Sequence, residues 1–404
     1  MKKNTNKKNK RIYLDHASST PIDTSVYNIL TKTTKTFFGN PSALYLEGQQ
    51  AKKLIEDSTA SIARLFDIHA DEIIFTSGGT ESDTLAIQGV VRAIMTDVAW
   101  KNRRPHILVS AIEHVAVLET VKQFTKQGID VTLLPVTSEG IVEPKSIRQA
   151  ITPETILVSI MYANNEIGTI QPIREIAKEI RHARKKNKSS YPYFHTDAAQ
   201  AINYLPIRIP ALGIDMLTAS SSKLYGPKGI GMLYIKRGVL VTPILFGGDQ
   251  QQGLRPGTES VPLIAAFTKA LEITEKIKEK ETLRLLVLKK FLTLELLRAF
   301  PSMRSNGSSE VSLPNILNVT FPGFTSELLV IELDAKGISV SAKSACKSDD
   351  PEISHVLAAI GKNTHDEGSI RIAMGRSTTK NELIHFIASL KTIFAKYNTV
   401  RKKS

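Results

Sequence analysis

The chain holds one cysteine, Cys346, in the loop-like run SAKSACKSDDP, and a lysine, Lys223, in the serine- and glycine-rich run ASSSKLYGPKGIG. A lone cysteine forms no intrachain disulfide, and its thiolate is a nucleophile. A lysine amine can form a Schiff base with a carbonyl group. Together they suit a carbonyl cofactor whose chemistry delivers a group to a thiolate.

Other residues extend this chemistry. In FTSGGTES, residues 75–82, a strand ends at two glycines and a helix begins at Thr80 or Glu81. Free N–H groups and the helix dipole make an anion site there. Gly78 and Gly79 let a phosphate approach, and Thr80 adds a hydroxyl; a plain turn with a helix N-cap reads the same way. In FHTDAAQ, Asp197 and Gln200 follow a strand end. The Asp197 carboxylate can pair with a pyridinium nitrogen and make the ring an electron sink, or simply cap a helix. Ser220 and Ser222 beside Lys223 are candidate phosphate donors, although a lysine in a polar loop is often just exposed. His114, in IEHVAV, sits at a strand-to-helix junction, where it can stack on an aromatic ring and move protons, or serve as a cap. Asn165, in ANNEIG, can bond a phenolic oxygen or belong to an asparagine-rich turn. Arg371, in SIRIAMGR, can clamp a carboxylate bidentately or serve structurally.

Singly these signals are modest; their order carries more. A pyridoxal phosphate site needs phosphate donors, a partner for the ring nitrogen, a Schiff-base lysine and a carboxylate clamp. All are present in one chain.

The elements that must position them follow from the hydrophobic pattern. Strand-like runs, EIIFTSG, HILVS, VTLLPV, TILVSIMYA, YFHTD, DMLTAS and GIGMLYI, alternate with helical stretches such as TESDTLAIQGVVRAIM and PIREIAKEIRHARKK. This predicts an α/β fold with a mainly parallel sheet and helices on both faces. Ligands bind at the carboxyl ends of such strands. Residues 261–300 read as one long helical stretch, continuous or interrupted, linking two domains. After it ILNVTF, a helix near 326–336, ISVSA, SIRIAM and a helix at 380–396 suggest a smaller α+β domain. The expected division is a basic tail at 1–11, a large domain at 12–265 whose first residues can pack with the small one, and a small domain at 266–404 carrying the Cys346 loop.

The net charge of +14 raises nucleic acid as a partner. However, residues 1–11 carry six Lys/Arg and residues 401–403 three more, which leaves +5 for the body. Solubility tails account for that pattern, and nucleic acid is not expected. No apolar run approaches the length of a membrane span, and no apolar segment follows the basic start as in a secretory signal. One cysteine suits a reducing compartment, so the expected location is cytoplasmic.

From YLDHASSTP through FGNPSALY, FTSGGTES, EHVAVLET, SIMYANNEIGTIQPI, HTDAAQ, KLYGPKGIG and GLRPGTES to PNILNV, SAKSAC and SIRIAMGR, the chain resembles the cysteine desulfurases among the class V, fold-type I pyridoxal-phosphate enzymes. The resemblance implies pyridoxal 5'-phosphate on Lys223, Asp197 at the ring nitrogen and His114 as stacking acid/base. It implies Asn165 and Gln200 at the phenolic oxygen, and Gly79, Thr80, Ser220 and Ser222 at the phosphate. Thr258 would reach the phosphate of a neighbouring subunit, implying a homodimer. Asn40 and Arg371 would hold the substrate carboxylate. Cys346 would take sulfur from L-cysteine as a persulfide, releasing alanine, and pass it to an acceptor protein for iron–sulfur cluster, thio-cofactor or tRNA biosynthesis. Lys343 and Lys347 flank it and can lower its pKa or merely solubilise the loop. The chain departs from the family at Ser222, where a histidine is usual. Ser222 keeps open a catalytically weak sulfur-relay scaffold, and selenocysteine lyase is the other alternative. No metal is implied.

Overall fold

The structure, a computed structural model, describes residues 11–342, 354–362 and 367–401, without the side chains of 398–401. Cys346, its neighbours Lys343 and Lys347, and most of both basic tails lie outside the described residues.

The chain begins with β1 (Ile12–Tyr13), α1 (Thr24–Thr36) and α2 (Leu46–Phe66). The strands β2 (Ile73–Thr76), β3 (His106–Ser110), β4 (Asp130–Leu134), β5 (Thr155–Ser159), β6 (Tyr193–Asp197), β7 (Met216–Ser220) and β8 (Gly231–Ile235) then form one sheet. Its order is β2-β8-β7-β6-β5-β3-β4. Strands β3 to β7 run parallel, and β8 alone is antiparallel to both its neighbours, β7 and β2. All but the edge strand β4 are buried along their length, as expected of a sheet covered on both faces.

The covering helices are α3 (Gly79–Thr96), α4 (Val115–Thr125), α5 (Pro144–Ala150), α6 (Ile173–Asn187) and the short α7 (Ile209–Leu212). Alternate strand residues serve opposite layers, as the period of two requires. Leu108, Val158, Phe194 and Leu217 pack with Ile176 and Ile180 of α6. Ile107, Val109, Leu157 and Met216 pack with Leu85, Ile87 and Val90 of α3 and Val117 of α4.

The long helical stretch is one continuous helix, α8 (Val261–Ala299), with Pro262 in its first turn, where a missing N–H costs nothing. The boundary expected between 265 and 266 falls inside it. Helix α8 packs on α1, α2 and the last helix. Beyond it β9 (Arg304–Asn306), β10 (Ile316–Pro322) and β12 (Glu367–Ala373) form an antiparallel sheet in the order β12-β10-β9. The remaining elements are α9 (Ser326–Ala335), β11 (Ile338–Ser339), α10 (His355–Ala359) and α11 (Lys380–Arg401). Strand β1 pairs in parallel with β11, and Ala373 N donates to Leu14 O at 2.7 Å. The start of the chain is thus bound to its last quarter. No described helix is long and apolar enough to cross a membrane.

Candidate active site

Strands β2, β3, β5, β6 and β7 all end on one edge of the large sheet, and the residues after them wall a cavity of about 480 Å³. Ten of the thirteen sequence candidates line it: Gly79, Thr80, His114, Asn165, Asp197, Gln200, Ser220, Ser222, Lys223 and Arg371. Two of the other three, Asn40 and Thr258, do not. Asn40 is exposed and uses its side chain to accept from Ser42 N at 3.0 Å, fixing the turn before α2. Thr258 is exposed and does not line the cavity. Within one chain Asn40 is therefore not joined to Arg371, nor Thr258 to the phosphate turn. Cys346 lies outside the described residues.

The anion turn is built from local forces. Gly78 precedes α3 at φ 153°, ψ −171°, a conformation nearly restricted to glycine. Thr76 Oγ1 accepts from Gly78 N at 3.3 Å and lies 2.7 Å from Ser82 Oγ, tying the strand end to the helix. Glu81 accepts from Ser77 N at 2.6 Å and from Arg255 Nε at 3.0 Å. The N–H groups of Gly79, Thr80 and Glu81 belong to the first helical turn and have no acceptor within the helix. Across from them, Ser220 and Ser222 stand with hydroxyls 3.1 Å apart.

Asp197 ends β6 and accepts from Ala199 N at 2.8 Å. Burial pushes its carboxyl above the usual range, while nearby His114 and Lys223 pull it back down. His114 caps α4: its Nδ1 accepts from Ala116 N at 3.2 Å, which leaves the proton of the neutral ring on Nε2. Burial lowers its pKa, against the pull of Asp197. Gln200 donates to Ala17 O at 2.9 Å. The asparagine pair divides its duties. Asn164 holds the turn, accepting from Glu166 N at 2.8 Å and donating to Ile112 O at 2.9 Å, so Asn165 can face the cavity.

Lys223 donates from Nζ to Ser18 O. Arg371, 1% exposed, donates to Asn165 O at 2.8 Å, Asp15 Oδ1 at 2.7 Å and Ser18 Oγ at 2.6 Å, while its Nε has no partner. Asp15 and Ser18 were not singled out as site residues: they lie more than 350 positions from Arg371, so no local spacing reveals them. Buried Asp83, also in the cavity wall, was missed too; an acid on the apolar face of α3 was its only signal.

The cavity lies at the strand ends of a mainly parallel sheet, with a lysine and an anion turn in its wall. The pattern of the aminotransferase class-V family matches residues 12–386, and the chain belongs to that family. Among its relatives, the cysteine desulfurase IscS of Dictyoglomus turgidum is 40% identical over 392 residues, covering 97% of this chain and 96% of that protein. A solved NifS-like protein superposes with a TM-score of 0.87 at 32% identity, covering 95% of this chain and 99% of the other. A structure described as SspA in complex with cysteine gives 0.76 at 32% identity, with 90% and 98% covered.

Proposed function

We propose that this chain is a pyridoxal-phosphate-dependent cysteine desulfurase. The observation that carries the proposal is the convergence of an amine, a buried carboxylate, an anion turn and a buried guanidinium in one cavity. The residues fit the cofactor. The first-turn N–H groups of α3, Thr80, Ser220 and Ser222 match a phosphate, and Asp197 matches a protonated ring nitrogen. When bound, pyridoxal phosphate supplies a carbonyl for amine exchange and a ring that accepts the electron pair left at the substrate Cα.

The chain's own residues supply the rest. Lys223 Nζ is the amine that exchanges with substrate. Asp197 keeps a proton on the ring nitrogen, a charge that also repays its burial. His114 presents its ring proton at Nε2, because Nδ1 is taken up by Ala116 N, so in this tautomer it donates a proton from that atom. Arg371 orients the substrate carboxylate: three of its five N–H donors are engaged by Asn165 O, Asp15 and Ser18, which leaves the Nε–H and one Nη1–H. The Cys346 thiolate attacks the substrate sulfur. An S–S bond forms, the substrate Cβ–S bond breaks with its electrons left on carbon, and protonation gives alanine. L-Cysteine and Cys346-SH thus yield L-alanine and Cys346-S-SH.

The same reading makes the protein a cytoplasmic homodimer that hands sulfur to an acceptor protein for iron–sulfur cluster, thio-cofactor or tRNA biosynthesis. Exposed Phe38, Leu44, Tyr45 and Leu46 beside Asn40, and Phe246 in the segment leading to Thr258, support a second copy completing the site. Names among the relatives favour desulfuration over selenocysteine lyase or a relay scaffold. The test is a single turnover of cofactor-loaded protein with L-cysteine, beside Cys346→Ala. Equal alanine and bound persulfide, both lost in the variant, are expected. No alanine from loaded protein would overturn the proposal.

A further inference from the structure

Two residues beyond Lys223, Tyr225 adopts φ 57°. A bulky side chain in this left-handed region is uncommon and costs free energy, so surrounding contacts must hold it. Here they do so from every side. Thr20 Oγ1 accepts from Tyr225 N at 2.8 Å, and Asp23 N donates to Tyr225 O at 2.9 Å. Arg376 N donates to the Tyr225 hydroxyl at 2.8 Å, and the Arg376 guanidinium lies over the ring, 3.9 Å from its centre. Arg376 is itself fixed by Thr274 Oγ1 at 2.9 Å and lies near Asp23. The ring is 5% exposed.

The turn so held is the one that presents Lys223. Leu224 N and Gly226 N both donate to Ser221 O, at 2.9 and 3.2 Å. A Cβ on Gly226 would fall 2.1 Å from Ser221 Oγ, so the chain folds back tightly on the end of β7. Asn203 donates to Lys223 O at 2.5 Å, and Thr20 N and Oγ1 both donate to Ser222 O. The lysine backbone is thus pinned on both sides while Nζ points to Ser18 O. If Tyr225 relaxed to negative φ, the turn would open and carry Lys223 with it.

We infer that Tyr225 and Arg376 form a clamp that positions Lys223, with Arg376 holding Tyr225 in its strained turn through ring stacking and a hydrogen bond. This rests on the reading of Lys223 as the Schiff-base amine. A lysine that exchanges its covalent partner in every turnover can move only its side chain if it is to return to the same place; the clamp supplies that fixed backbone. Both clamp members are positioning residues and touch neither cofactor nor substrate.

The test is a double-variant cycle on the full chain: wild type, Arg376→Gln, Tyr225→Gly and the combined variant. Each is equilibrated with graded pyridoxal phosphate and reduced with borohydride, and the label on the Lys223 peptide is measured by mass spectrometry. Thermal unfolding checks each fold, and Arg376→Lys, which keeps the buried charge but not the planar stack, replaces a glutamine variant that does not fold. With Tyr225 present, losing Arg376 is expected to raise the cofactor concentration for half-labelling about tenfold. With glycine at 225 the turn carries no strain, and the same change should cost about twofold or less. Equal costs in the two backgrounds, or no cost in either, would overturn the clamp while leaving a labelled wild type intact. A wild type without label on Lys223 would overturn the Schiff-base reading and the clamp's purpose with it.

Discussion

At the anion-turn end of the cavity the chain groups come from within a few residues of a strand end in one sheet: Gly79 and Thr80 after β2, Asp197 at the end of β6, Ser220 at the end of β7 and Ser222 and Lys223 just after it. At the Arg371 end the partners come from opposite termini, with Asp15 and Ser18 meeting a guanidinium more than 350 residues away. The first region is rigid because strand ends in a covered sheet cannot shift singly. The second depends on β1 pairing with β11 and on Leu14 meeting Ala373, a long-range assembly that closes only in the whole fold. On the function proposed above, the first end holds the cofactor throughout and the second binds and releases substrate.

Substitutions should separate the two. The largest effect is expected at Lys223. Lys223→Ala removes the exchanging amine, so the Schiff-base absorbance and alanine formation should both vanish while the chain still melts cooperatively; measurable turnover would remove Lys223 from the mechanism. Asp197→Asn comes next. It keeps the shape but not the charge, and kcat should fall about 100- to 1000-fold. A loss below about threefold would mean that the ring nitrogen has another partner.

At the other end the loss should appear in KM. Arg371→Lys keeps a cation but cannot reproduce the three bonds to Asn165 O, Asp15 and Ser18. The KM for L-cysteine should rise about tenfold or more with kcat changed far less. Asp15→Asn, which only supports Arg371, should raise KM about threefold. If kcat fell while KM held, the two ends would not divide binding from chemistry as their construction implies.

The same contrast explains what could be read from the chain. Strand runs such as HILVS and TILVS, and the turn FTSGGTES, are local patterns whose physics is complete within eight residues, and they fold as their periodicity requires. The mainly parallel sheet follows from the alternation of strands and helices. The reversal of β8 does not, because direction is decided by where the chain returns, not by the composition of GMLYI. Helices α1 and α2 went unread although each carries an amphipathic stripe, which packs against α8. Asn165 and Asn164 could not be told apart by type; only the structure shows which one holds the turn.

The smallest expected effect lies between the two ends, at Glu113, beside His114. It is fully buried. Its Oε1 accepts from Ser110 Oγ at 2.5 Å and Met161 N at 2.9 Å, and its Oε2 has no partner. Burial pushes its pKa from 4.5 up to about 8, more than those two bonds pull it down. The folded state therefore keeps a proton that the unfolded chain has released, and the stability this group contributes is present in full below its unfolded value. It declines as pH rises toward 8, by at most roughly 1.4 kcal/mol per pH unit. Glu113→Gln keeps an acceptor at Oε1 and cannot ionise, so it should lose nothing over that window. Relative to wild type its melting temperature should rise progressively from pH 5 to pH 8, by roughly a few degrees in all, and stay level above. An offset that does not change with pH would mean that Glu113 is already ionised in the fold, with a cation or water reaching Oε2.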